Sequence, residues 1–133
     1  MSEVFMSTAK QVVLPTNGAK PIGPYSPAIR IGEFLFTSGQ IGLDPATGKL
    51  VPGGVAAEAK QALENISTLL RAGGASFEQV VKTTLFLKDI ADFTTVNDIY
   101  AQYFQTEPPA RSTVQVSALP GGALVEIDAL AAL

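Results

Sequence analysis

The 133-residue chain contains no cysteine and no histidine. That double absence removes thiol nucleophiles, Ser–His triads, disulfides, iron–sulfur clusters and ordinary zinc sites. A metal site made only of carboxylates is still open, but the acidic residues contain no D-x-D pair. Catalysis, if there is any, must use Glu, Asp, Lys, Arg, Tyr, Ser, Thr, Asn, backbone groups or water. Basic charge is sparse as well. Nine Lys and Arg residues are spread singly from Lys10 to Arg111, and the net charge is −3. A nucleic-acid face needs clustered positive charge, so nucleic acid is not an expected partner. No run of 18 apolar residues occurs, so no membrane span is expected. The opening MSEVFMSTAK has neither a basic n-region nor an apolar h-region, so no secretory signal is expected either. With cysteine missing, a cytoplasmic location suits the chain. G-x-G-x-x-G, G-x-x-x-x-G-K-[ST] and G-x-S-x-G are all absent, which leaves no nucleotide-loop or hydrolase-elbow motif.

What is present is apolar and patterned. Apolar residues make up 47% of the chain, and the length suits one domain spanning residues 1–133. Residues 1–13 read as a loosely held start. Residues 14–28, with four prolines, read as an ordered loop. Residues 29–43 read as one or two strands, with Phe34, Phe36 and Ser38 on one face and Leu35 and Thr37 on the other. Turns follow at Asp44-Pro45, Thr47-Gly48 and Pro52-Gly53-Gly54. The stripe Ala59, Ala62, Leu63, Ile66, Leu69 and Leu70 predicts a helix over 55–72, closed by Gly73-Gly74. Residues 80–89 read as a strand. Asp92 is placed to cap a second helix over 93–105, with the stripe Phe93, Val96, Ile99, Tyr100, Tyr103 and Phe104. RSTVQV and ALVEIDALA read as two more strands around the turn Leu119-Pro120-Gly121-Gly122.

The order β(β)αβαββ predicts an α+β domain, one sheet with two helices on one face. Several strands are apolar on both faces. Leu85 and Leu87 point one way and Phe86 the other, and the last strand ends in ALAAL. Two helices cover one face only, so the second face is expected to be covered by another subunit.

Five places stand out chemically. Arg111 follows Pro108 and Pro109 at the mouth of a strand, where its planar fork suits a carboxylate. The same residue could equally form a surface ion pair or cover an apolar patch. Glu126 lies between apolar neighbours on a strand, on a face shared with Leu124, Asp128 and Leu130. Either that face is wet or the acid has a partner. Tyr25, between Pro24 and Pro27, is either a held functional phenol or a packing residue. Asn97 interrupts an apolar helical stripe, either facing outward or reaching for a partner. Ser38-Gly39-Gln40 ends a strand with an open backbone position, fit for a ligand or a bulge.

Taken together, GPYSPA, FLFTSGQIGLDPATG, the ALENI helix, VVKTTLFLKDIADFTTVNDIY, PPARSTVQV and LPGGALVEIDALA resemble the Rid family (YjgF, reactive intermediate/imine deaminase A). The likeness runs in order over about residues 14–131. It implies a chorismate-mutase-like fold and a homotrimer whose sheets pack inward, with sites in clefts between subunits. It also implies hydrolysis of 2-imino acids such as 2-iminopropanoate and 2-iminobutanoate to 2-keto acids and ammonia, with no metal or organic cofactor.

By the same resemblance Arg111 binds the substrate carboxylate and Glu126 stands near the attacking water. Tyr25, Ser38, Gly39 and Asn97 fall at the pocket, as do backbone groups near Thr113. Many family members carry Cys where this chain has Thr113, so thiol chemistry is excluded there. Two other functional classes are open. One is a non-catalytic binder of small 2-keto acids. The other is an effector, since some relatives are described as translation inhibitors, endoribonucleases or chaperones.

Overall fold

The computed structural model describes residues 9–18 and 20–133. Eight elements matter here: β1 (Gln11–Val13), β2 (Ala28–Ile31), β3 (Phe34–Thr37), α1 (Gly54–Ala72), β4 (Val80–Leu87), α2 (Phe93–Ala101), β5 (Ala110–Gln115) and β6 (Val125–Ala132). The strands form one six-stranded sheet in the order β1-β2-β3-β6-β4-β5. The β4–β5 pair is parallel, with α2 in its crossover; the other pairs are antiparallel. The expected α+β class, one mixed sheet with two helices, is the observed one.

Side-chain alternation decides which face is covered. Leu85, Leu87, Val125, Ile127, Ala129 and Ala131 are buried, as is Leu35. They meet the α1 stripe Ala59, Ala62, Leu63, Ile66, Leu69 and Leu70, every member of which is buried. Burying each large aliphatic side chain here is worth ~1.5–3 kcal/mol. The alternate residues, Phe34, Phe36, Phe86, Val114 and Leu130, stand on the other face with Lys82, Thr84, Glu126 and Asp128. Phe34 and Phe36 remain 46% and 44% exposed there. No helix among the described residues is long and apolar enough to cross a membrane.

Several boundaries differ from expectation. Residues 1–8, part of the supposed loose start, lie outside the described residues, but Gln11–Val13 is a strand paired with β2. Residues 29–43 hold two strands folded about Gly32-Glu33. The second helix stops at Ala101, four residues early. The Tyr103 N–H then bonds the Tyr100 carbonyl at 3.0 Å, a tightened turn. That turn drives Phe104 against Phe77 and Tyr100, with ring centroids 5.1 and 4.5 Å apart. The Asp92 side chain makes no cap bond; Asp89 Oδ1 instead accepts from the Ala91 N–H at 2.9 Å, capping the short turn before α2. At the end of α1 it is Gly74, with φ of 87°, that takes the left-handed position.

Candidate active site

Two half-sites are built on opposite faces of the sheet. The first gathers around Glu126. Gln40 and Ile127 exchange backbone hydrogen bonds of 2.7 and 2.9 Å, which lays the segment after β3 alongside β6. Gly39 thereby rests against the Glu126 side chain. A Cβ on Gly39 would stand 2.7 Å from Glu126 Cδ, so only glycine lets the carboxyl lie there. Ser38 ties in the proline-rich loop: its Oγ donates to the Ser26 carbonyl at 2.6 Å and its N–H to the Pro27 carbonyl at 2.9 Å. On that loop the Tyr25 hydroxyl accepts the Ile22 N–H at 3.2 Å, folding the phenol back across the loop. Tyr25, Gly39 and Glu126 line one cavity of about 50 Å³, with Lys20, Ile41 and Pro120 among its other walls. Ser38 stands behind the cavity and positions it.

Burial pushes the Glu126 carboxyl above its ordinary pKa, and the neighbouring Asp128 carboxylate adds to the rise. Asp128 is raised too, by burial, against the opposing pull of Thr84 and Lys82. A carboxyl poised this way can exchange a proton with water nearer neutrality than a free one.

The second half-site surrounds Arg111. Its Nη2 donates to Asn97 Oδ1 at 2.7 Å. The guanidinium carbon lies 4.8 Å from the Tyr100 ring centroid and 5.4 Å from that of Phe93. Asn97 is therefore the reaching kind, and the arginine is held by α2 with no carboxylate partner among the described residues. Thr113 lies two residues along β5, on the same side of the strand and half-buried. By sequence alone Phe93 and Tyr100 belong to the core stripe only. Their spacing with Asn97, at i, i+4 and i+7, carried the signal that one helical face serves two purposes.

The two halves do not meet within one chain. Arg111 pairs across the ladder with Thr83 and Glu126 with Phe86. Thr83 and Phe86 are three apart on β4, so they point to opposite faces. The structure thus brings Tyr25, Gly39 and Glu126 together and Asn97 and Arg111 together, and separates the two groups by the thickness of the sheet. Among the described residues no group of His, Cys, Asp or Glu is arranged to hold a metal ion.

Comparison with known proteins points to one family. The profile of the family described as endoribonuclease L-PSP matches residues 16–133. A 2-iminobutanoate/2-iminopropanoate deaminase from Bos taurus is 53% identical over 125 residues, covering 94% of this chain and 91% of the relative. The protein of that name from Homo sapiens is 51% identical, with the same two coverages. Among solved structures, E. coli TdcF with bound serine aligns with a TM-score of 0.88 at 37% identity, over 92% of this chain and 98% of that one.

Proposed function

The chain belongs to the endoribonuclease L-PSP family, the Rid/YjgF group, and from that premise we propose that it hydrolyses short 2-imino acids to 2-keto acids and ammonia. The observation that carries the reading is the split pair: a stacked, hydrogen-bonded arginine with no carboxylate partner among the described residues on one face, and a glutamate raised above its ordinary pKa in a small cavity on the other. A homotrimer with the bare sheet faces turned inward would set Arg111 of one protomer against the Glu126 cavity of its neighbour. Phe36, Phe86 and Leu130 would be covered in the same step.

In such a seam each residue has a task. Arg111 forks the substrate carboxylate, its position fixed by Asn97. Backbone groups near Thr113 bind the imine nitrogen. Tyr25 and Gly39 form the wall around the small side chain, and Ser38 holds that wall from behind. Glu126 orients one water. The water oxygen bonds to the imine carbon, the C=N π pair moves to nitrogen, and Glu126 carries the water proton there. A second proton transfer, from the new hydroxyl to the nitrogen, lets the C–N bond break: its electron pair leaves with ammonia and the oxygen lone pair closes the keto C=O. An imine carbon is already electrophilic, so no covalent enzyme nucleophile is needed. Positioned acid–base help of ~10²–10⁴ in rate is enough. The reaction suits the cytosol, where a cysteine-free chain is at no disadvantage.

The test is to generate 2-iminopropanoate or 2-iminobutanoate with an amino-acid oxidase and measure how much the protein diverts from semicarbazide trapping. The parent should accelerate keto-acid release, and Arg111→Ala should lower kcat/KM about 100-fold, as expected for a lost charged hydrogen-bond pair. Equal rates for parent and variant would reject the assignment. A second reading, a non-catalytic binder of small carboxylates, is favoured by the serine bound in TdcF. Arg111-dependent binding of 2-ketobutanoate without imine hydrolysis would establish it instead.

A further inference from the structure

We infer that Tyr100, held by Thr83, is a positioning residue that fixes the plane of the Arg111 guanidinium and keeps one N–H edge presented to a carboxylate. The inference rests on the carboxylate-binding role proposed for Arg111. A planar group has a defined orientation only when it is constrained both in its plane and on its face. Asn97 Oδ1 supplies the in-plane contact, at 2.7 Å from Nη2. The Tyr100 ring supplies the face, 4.8 Å from the guanidinium carbon, and Phe93 adds a second, looser ring at 5.4 Å. With one N–H committed to Asn97, the remaining donors have no hydrogen-bond partner among the described residues and can serve a ligand.

The ring is itself fixed. Tyr100 Oη and Thr83 Oγ1 lie 2.8 Å apart, and both residues are buried, at 6% and 1% exposure. Thr83 is also the cross-strand partner of Arg111 on β4. The contacts therefore close a loop, from strand to helix and back to the neighbouring strand. A valine would fill the volume of Thr83 in this wall. The hydroxyl's hydrogen bond is to Tyr100, so its contribution is the pin and not the packing. Burial pushes the Tyr100 phenol up, against the smaller effects of the Thr83 bond and the Arg111 charge. The ring that faces the cation is thus the neutral phenol.

A carboxylate contact of this kind is made in the ground state and in the transition state alike, so loosening it should raise KM and leave kcat nearly unchanged. The experiment compares parent, Tyr100→Leu, Tyr100→Phe, Thr83→Val and the double variant Tyr100→Phe/Thr83→Val. Its readouts are imine-hydrolysis kinetics, melting temperature, and calorimetric binding of 2-ketobutanoate and of its uncharged amide. Tyr100→Leu should raise KM and the keto-acid Kd about fivefold, equivalent to ~1 kcal/mol of cation–π contact, with kcat within about twofold. Amide binding should not change.

Each single loss of a hydroxyl leaves an unpaired buried group, so both single variants should melt lower. The double variant should recover melting temperature while its keto-acid Kd stays raised about twofold over the parent. Stability and acid recognition would then have separated, which a purely structural Tyr100 could not produce. Equal weakening of acid and amide, or a parent-like keto-acid Kd in the double variant, would overturn the inference. A parent that binds keto acid through Arg111 but hydrolyses no imine would remove the deaminase reading and leave this one standing.

Discussion

Gly39 lies directly against the Glu126 carboxyl group: a methyl added to it would stand 2.7 Å from Cδ and 3.0 Å from Cγ, with Oε2 nearer still. A backbone position and an acid side chain therefore share one space. Substituting Gly39→Ala should displace the carboxyl, because the neighbouring Gln40–Ile127 bridge prevents the backbone from retreating. Misplacing a reacting group by about 1 Å can cost ~10²-fold in rate. We expect kcat for 2-iminobutanoate to fall at least tenfold, while keto-acid binding through Arg111 changes little. Steady-state kinetics and calorimetry check both. A Gly39→Ala protein with parental kcat would mean that Glu126 does not act where this structure places it.

Because Arg111 and Glu126 face opposite sides of the sheet, an active site that uses both must draw them from two protomers. At substrate well below KM, Arg111→Ala and Glu126→Gln should each be nearly inactive alone. Refolded together in equal amounts, they should regain activity. In a cyclic trimer a competent seam needs an intact arginine on one side and an intact glutamate on the other, so random mixing restores about a quarter of parental activity. A site contained within one chain would regain none, and activity measured against mixing ratio distinguishes the two.

The same arrangement needs the bare sheet face to be covered. Phe36 and Leu130 are cross-strand partners on that face. Placing a carboxylate there, as Leu130→Asp, would bury an unpaired charge in the seam at a cost of several kcal/mol. The expected result is a monomer by sedimentation, with the single-chain fold retained by circular dichroism and imine hydrolysis lost. A trimeric Leu130→Asp protein would show that the face is covered by something else.

Much of this was readable from residue spacing. The α1 stripe from Ala59 to Leu70 repeats at helical period over about three turns, and every member is buried. The alternation Leu85, Phe86, Leu87 gave the two faces of β4 correctly. Other features were not readable, for physical reasons. β1 has three residues and buries only Val13, too few to show a period. The early stop of α2 depends on Phe104 meeting Phe77 across the chain, a contact no local pattern encodes. The placement of Arg111 and Glu126 on opposite faces is a matter of register. Alternation says which residues within a strand share a side, but the β4–β5 and β4–β6 pairings decide how strands align. Tyr100 was legible as core and illegible as a support for Arg111, because one residue at the boundary of two helical faces serves both.

Glu126 and Asp128 make the protein's pH response predictable in sign. Both carboxyls are raised above their ordinary pKa values in the fold, mainly by burial. In the unfolded chain they release protons at ordinary acid pH, so over the interval between the two values the folded state binds more protons. Their contribution to stability is therefore fully present below the ordinary carboxylate range and is lost as pH rises through the raised values. Glu126→Gln removes one titration, so the variant should gain melting temperature relative to the parent as pH rises from about 4 to 8, and show no such gain at the acid end. Activity should run the other way. Water activation requires the carboxylate, so the parent's kcat should rise with pH through the raised Glu126 value, and Glu126→Gln should lack that limb. Imine protonation changes with pH as well, and taking the ratio of parent to variant at each pH cancels it. A ratio flat across pH would show that Glu126 titrates without taking part in the reaction.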